Sequence, residues 1–102
     1  MPGHQYRVRV EEVDADGQIL SEPKAFEFSA AIHDDLQQIL GRLQGRFALN
    51  ADETACMVLG LKLLGEVVMK QRKTEPFKAL HPHIGSFIQA LKSEAKVKLA
   101  SD

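Results

Sequence analysis

"ACMVLGLKLLGEVVM", the stretch from Ala55 to Met69, carries only two charged residues, Lys62 and Glu66. A membrane-spanning helix needs about 20 apolar residues, and one charge at the bilayer centre costs roughly 2.5–3.5 kcal/mol. The stretch is shorter and holds both charges, so we expect no membrane span. A surface helix needs an apolar arc of only about 100°, and this arc is wider. The stretch therefore predicts a central helix that is covered on both sides.

The residues before this stretch predict where the central helix begins. In "NADE", Asn50 is placed to cap the helix and Glu53 stands at the third helical position, a variant of the capping box. We expect the helix over about 51–72. One apolar flank holds Cys56, Leu59, Leu63 and Val67. The other flank, which we expect to form the contact with a second copy of the chain, holds Met57, Leu61, Leu64 and Val68.

Residues 5–30 show the two-residue period of β-strands. "QYRVRVEEV" and "KAFEFSA" alternate apolar and polar side chains, and "DADGQ" between them is typical of a turn. The pattern predicts an antiparallel β-hairpin with strands near 5–13 and 19–30. The apolar face that we expect to pack on helices consists of Tyr6, Val8, Val10, Phe26 and Phe28.

Two further helices complete the predicted order. The first covers about 33–45, where Asp34 and Asp35 suit the positive helix start and Gly45 suits its end. Its apolar stripe is Leu36, Ile39, Leu40 and Leu43. The last helix covers about 76–98, and Pro82 predicts a short kinked turn at its entry. The chain is thus expected to be a single α+β domain over 1–102, of order ββααα.

The composition favours no polyanionic partner, because 13 basic residues stand against 14 acidic ones and the formal net charge is −1. The single cysteine, Cys56, cannot form an internal disulfide, and we expect it to be buried in a protein of a reducing compartment. "MPGHQYRVRVEE" has no apolar segment behind a basic start, unlike a signal peptide. These features predict a cytoplasmic protein.

The residues that could carry chemistry do not form a known catalytic pattern. Cys56 has no histidine near it in the sequence, and the serines lack the motif of a nucleophile elbow. We therefore predict no enzyme, no catalytic residues and no cofactor. A metal site stays open as a weaker hypothesis, with ligands from His81, His83, His33, Asp34 and Asp35.

Residues 24–68 resemble ribbon-helix-helix repressors in the order strand, helix, turn, helix, and only in hydrophobic spacing. In that family the strand pairs with its dimer mate and reads the major groove. The outward side chains here would be Ala25, Glu27 and Ser29, and Glu27 would face phosphates. The candidate nucleic-acid contacts are Arg7, Arg9 and Lys24. DNA binding is therefore possible but not favoured.

Four blocks together resemble a family of small bacterial proteins of unknown function, over about residues 6–92. They are "YRVRVEEV", "HDDL", "GLKLLGEVV" and "EPFKALHPHIGSFIQALK". The resemblance implies a compact α+β domain from a bacterium, with no activity assigned and so no catalytic residues to carry over.

The residues favour a non-enzymatic cytoplasmic binding or protein-interaction module that forms a homodimer, because the surplus apolar flank of the central helix needs a cover. The alternative is a DNA-binding transcriptional regulator of the ribbon-helix-helix type. A third hypothesis is a small metal or ligand binder that uses the histidines.

Overall fold

The computed structural model describes the backbone of residues 3–101 and the side chains of residues 3–94. The elements are β1 (His4–Glu11), β2 (Ala25–Ile32), α1 (Leu36–Leu43), α2 (Ala51–Lys70) and α3 (Phe77–Ser101). The predicted α+β class and the order ββααα are confirmed. The chain divides into two compact units, Met1–His33 and Asp34–Asp102, and each is described by itself. The expectation of one domain over 1–102 stays a prediction.

The first unit holds the antiparallel hairpin of β1 and β2, whose register runs from His4 opposite Ile32 to Glu11 opposite Ala25. Because side chains alternate across a strand, this register collects the apolar residues on one face. The cross-strand pairs of that face are Tyr6 with Ala30, Val8 with Phe28, and Val10 with Phe26. The predicted alternation is confirmed.

The second strand begins at Ala25 and not near residue 19, where the sequence placed it. Between the strands, the Asp14 Oδ1 atom accepts hydrogen bonds from the backbone N–H groups of Asp16 and Gln18, both at 2.9 Å. Next to this turn an isolated bridge joins Val13 and Ile19, outside the two strands. Pro23 then lacks the N–H group that a ladder requires. The alternation in the sequence could not reveal this interruption.

In the second unit, local capping sets where α1 and α2 begin. The Asp35 carboxylate caps α1 by accepting hydrogen bonds from the N–H groups of Gln37 and Gln38, so α1 begins at Leu36 and not near 33. Asn50 and Glu53 form the predicted capping box on α2, at 2.8 and 2.9 Å. Gly45 follows α1 with φ +75°, as expected of a residue that ends a helix.

The last helix differs from the prediction at Pro82. The sequence predicts a kinked turn there, whereas α3 continues through Pro82 from Phe77 to Ser101. Proline deprives an interior helical position of one hydrogen bond, which costs roughly 3 kcal/mol. Pro82 lies near the start of a long helix, where one missing bond is offset by the turns that follow. The Ser86 hydroxyl donates to the Pro82 carbonyl oxygen over 3.1 Å.

Helix α2 is the central element of its unit, as predicted, because it contacts both α1 and α3. It contributes the buried side chains Thr54, Val58 and Val68. The hydroxyl of Thr54 donates to the Asn50 carbonyl oxygen at 3.0 Å, so this buried polar group is satisfied. Within the described residues, none of the helices combines the length and the hydrophobicity needed to cross a bilayer.

Candidate interaction surfaces

Helices α1, α2 and α3 border a groove of about 600 Å³. Besides the buried Val58, its apolar wall contains six half-buried side chains, two from each helix: Ile39, Leu43, Met57, Leu61, Ile88 and Leu91. Within each pair the residues are three or four positions apart, so both side chains lie on the same face of their helix. The groove thus follows from the helical period of three separate segments.

Three of the six polar residues that line the groove are cationic, and one is acidic. The Lys62 Nζ atom donates to the Asp34 Oδ2 atom over 2.7 Å, and the side chain of Lys62 is 24% exposed. Arg42 and Lys92 also line the groove, and both are exposed. Three basic side chains therefore meet one carboxylate, which makes the groove positive.

The Asp34–Lys62 ion pair is a feature that sequence reasoning missed. Lys62 pairs with Asp34, which lies 28 residues away in the sequence. No periodic pattern encodes a pair at that separation. Lysine is seldom removed from water unless it is paired, so its place in an apolar stretch was the available signal.

The four residues of the flank that was expected to form the dimer contact differ in their exposure to solvent. Val68 is 1% exposed and is therefore covered within the chain, whereas Met57 and Leu61 line the groove. Leu64, which is 47% exposed, is the member of this flank that is most open to solvent. The dimer contact itself stays a prediction.

The exposed side of α2 includes residues of the other flank. Val67 is exposed, and so is Cys56, which the sequence analysis expected to be buried. The expectation for Cys56 is wrong because its position lies roughly opposite the buried Val58 on a helix of 3.6 residues per turn. An apolar run alone does not tell which of its members face solvent.

The apolar face of the hairpin is also open to solvent in the single chain. Phe26 is 60% exposed, and Val10 and Phe28 are exposed as well. The two phenyl rings stack with their centroids 6.3 Å apart. The expectation that this face packs on the helices stays a prediction.

The three candidate nucleic-acid contacts lie on the hairpin unit but differ in their surroundings. Arg9 pairs with Glu27 at 3.1 Å and with Glu11 at 3.6 Å, so its charge is offset. Arg7 is exposed on the same face of the hairpin as Arg9, and Lys24 is exposed just before β2. In this structure β2 pairs with β1 of its own chain, whereas a ribbon-helix-helix strand pairs with its mate.

The metal hypothesis finds no cluster to support it. Within the described part of the chain, no three His, Cys, Asp or Glu side chains come together as ligands of one ion would.

The hairpin and the three helices that follow it give the chain an α+β fold of order ββααα. The model of the family DUF3861, a domain of unknown function with a solved structure, matches residues 4–93, and the chain belongs to this family. The resemblance seen in the sequence is thereby confirmed. No functionally curated protein matches the chain.

A crystal structure of a protein of unknown function from the bacterium Pectobacterium atrosepticum SCRI1043 is similar to this chain. The two share 32% sequence identity and superpose with a TM-score of 0.77. The match covers 89% of this chain and 98% of the other. The similarity therefore extends over nearly the whole of both proteins.

Proposed function

We propose that this protein is a non-enzymatic interaction module of the cytoplasm that forms a homodimer. The observation that carries the proposal is the balance of apolar side chains. Among the described residues, four hydrophobic side chains are buried, whereas ten large ones are exposed. Isolated exposed hydrophobic residues are ordinary, but groups of them on one surface mark sites of interaction.

The hairpin supports association most strongly. An isolated two-stranded hairpin is marginally stable in water and needs further strands or an apolar cover. The described sheet contains only β1 and β2, so it has no further strands. Val10, Phe26 and Phe28 form an exposed apolar face that a partner can cover. A second copy can cover the face or extend the sheet to four strands, and an isologous contact achieves either with identical patches.

The exposed side of α2 offers a second apolar surface through Leu64 and Val67. It is the part of the central helix that two flanking helices leave open. The exposed thiol of Cys56 suits a reducing compartment, which supports a cytoplasmic location.

Co-purification tests self-association without any assumption about size. A tagged and an untagged copy are produced together, and we expect the untagged copy to be retained with the tagged one. Replacing Phe26 and Phe28 with serine removes the stacked rings from the hairpin face, and we expect this variant to lose retention. Retention of the double variant would overturn the hairpin as the contact, and failure of the native chain to be retained would overturn the dimer.

The matched control is Arg7→Ser, on the opposite face of the hairpin, which we expect to leave retention unchanged. Circular dichroism of each variant shows that loss of retention is not loss of folding. A titration of the native protein with duplex DNA checks the alternative function. Binding with a steep salt dependence that is lost in an Arg7→Ser, Arg9→Ser variant would favour the ribbon-helix-helix type of regulator.

A further inference from the structure

The groove between α1, α2 and α3 has the size and composition of a small-molecule site. Its volume of about 600 Å³ lies within the range of roughly 300–1,000 Å³ that such sites occupy. Its wall is apolar and remains half-buried, so an occupant would remove further hydrophobic surface from water. Met57 adds a flexible side chain that adapts to different apolar shapes.

The charges at the groove are arranged for an anion. Lys62 is offset by Asp34, which leaves Arg42 and Lys92. Neither of these forms an ion pair within the part of the chain that the structure describes. Arg42 directly precedes the wall residue Leu43, and Lys92 directly follows the wall residue Leu91. Both cations therefore stand at the border of the apolar wall.

We propose that this groove binds a small amphipathic carboxylate, a molecule with an alkyl body and one anionic head. The alkyl body lies against the wall, and the carboxylate is held at Arg42 and Lys92. An arginine fork suits a carboxylate because its geometry allows two parallel hydrogen bonds. This proposal does not depend on the dimer.

A second copy of the chain is a poorer occupant. In an isologous contact the same patch stands on both copies, so two grooves with the same excess of positive charge would meet. Like charges opposed in this way are repulsive, and lysine is depleted at the centres of protein interfaces. The exposed apolar face of the hairpin is free of this conflict.

Calorimetric titration of the full chain with hexanoate, octanoate and decanoate tests the proposal. We expect saturable binding whose affinity rises about fourfold with each added methylene, as alkyl burial predicts. The alcohol of the same chain length should bind about tenfold more weakly, because it lacks the charge that Arg42 and Lys92 attract. Equal binding of decanol and decanoate would overturn the proposed role of the charges.

Variants locate the binding to the groove. The Arg42→Gln, Lys92→Gln variant should lose about tenfold in affinity for decanoate. The control Lys70→Gln, Lys73→Gln removes the same charge from exposed residues outside the groove and should bind as the native chain does. Met57→Gln should weaken the binding of decanoate, because it makes the apolar wall more polar and leaves the charges of the groove unchanged. Unchanged affinity in both groove variants would show non-specific binding to exposed apolar surface and would overturn the proposal.

A second copy in the groove would also be detected. If the Arg42→Gln, Lys92→Gln variant changed the mass of the protein in solution, the groove would be an interface between copies and the proposal would be wrong. Loss of the dimer in the hairpin variant, with decanoate binding intact, would separate the two proposals.

Discussion

At the scale of single residues, Lys62 shows why a charge persists in the most apolar part of the chain. Its stem lies in the groove among hydrophobic side chains, and its ammonium group reaches Asp34 at 2.7 Å. The side chain of Asp34 is 50% exposed, so solvent screens the pair and its net contribution is modest. The pair connects the residue before the α1 cap to the middle of α2.

Asp34→Asn should lower the free energy of unfolding by about 1 kcal/mol, because it leaves the half-buried ammonium group of Lys62 without its counter-charge. Urea unfolding measures the change, and Glu94→Gln, on an exposed position of α3, is the control. Adding Lys62→Met to Asp34→Asn should recover most of the loss, since an apolar side chain fits the groove. A double variant no more stable than Asp34→Asn would contradict this account of the pair.

The capping residues were predictable and the ion pair was not, for a physical reason. The capping box of Asn50 and Glu53 involves neighbours in sequence, so its signal is local. Asp34 and Lys62 meet only because α1 packs on α2, and sequence periodicity does not give the rotation of one helix against another. For the same reason the sequence wrongly predicted that Cys56 is buried, whereas it is exposed.

At the scale of elements, hydrophobic period gave the type of every strand and helix, whereas the boundaries depended on single residues. Because Asp35 caps α1, this helix begins later than predicted. Because of the Asp14 turn and Pro23, β2 also begins later than predicted. A short kinked turn was expected at Pro82, but the helix continues through this residue. A proline near one end of a long helix removes one hydrogen bond among many, so its effect depends on context.

Replacing a glycine with alanine should have opposite effects on stability at two positions, one within α1 and one just after its end. Gly41 lies within α1, and a Cβ atom built there meets nothing within 4 Å, so Gly41→Ala should stabilise the protein by about 0.5–1 kcal/mol. Gly45 has φ +75°, which an alanine adopts only at a cost, so Gly45→Ala should destabilise it by about 1 kcal/mol. Thermal unfolding of both variants shows whether each change raises or lowers the stability of the protein. Stabilisation by Gly45→Ala would contradict the helix end described for α1.

At the scale of the whole molecule, the sequence correctly indicated the α+β class and the family, but it did not indicate which surfaces stay open. It assigned Met57, Leu61, Leu64 and Val68 to one contact surface, yet Val68 is buried while Leu64 is exposed. Burial depends on which elements cover each helix, and hydrophobic spacing alone does not contain that information. The groove was missed for the same reason, because its lining comes from three separate helices.

The absolute mass in solution tests the central claim, that the exposed apolar surfaces hold two copies together. Light scattering on a sizing column, at low and at high salt, gives this mass directly. We expect one species of twice 11.3 kDa at both salt concentrations, because an apolar contact is not weakened by ionic screening. A single species of 11.3 kDa at every protein concentration would contradict the homodimer.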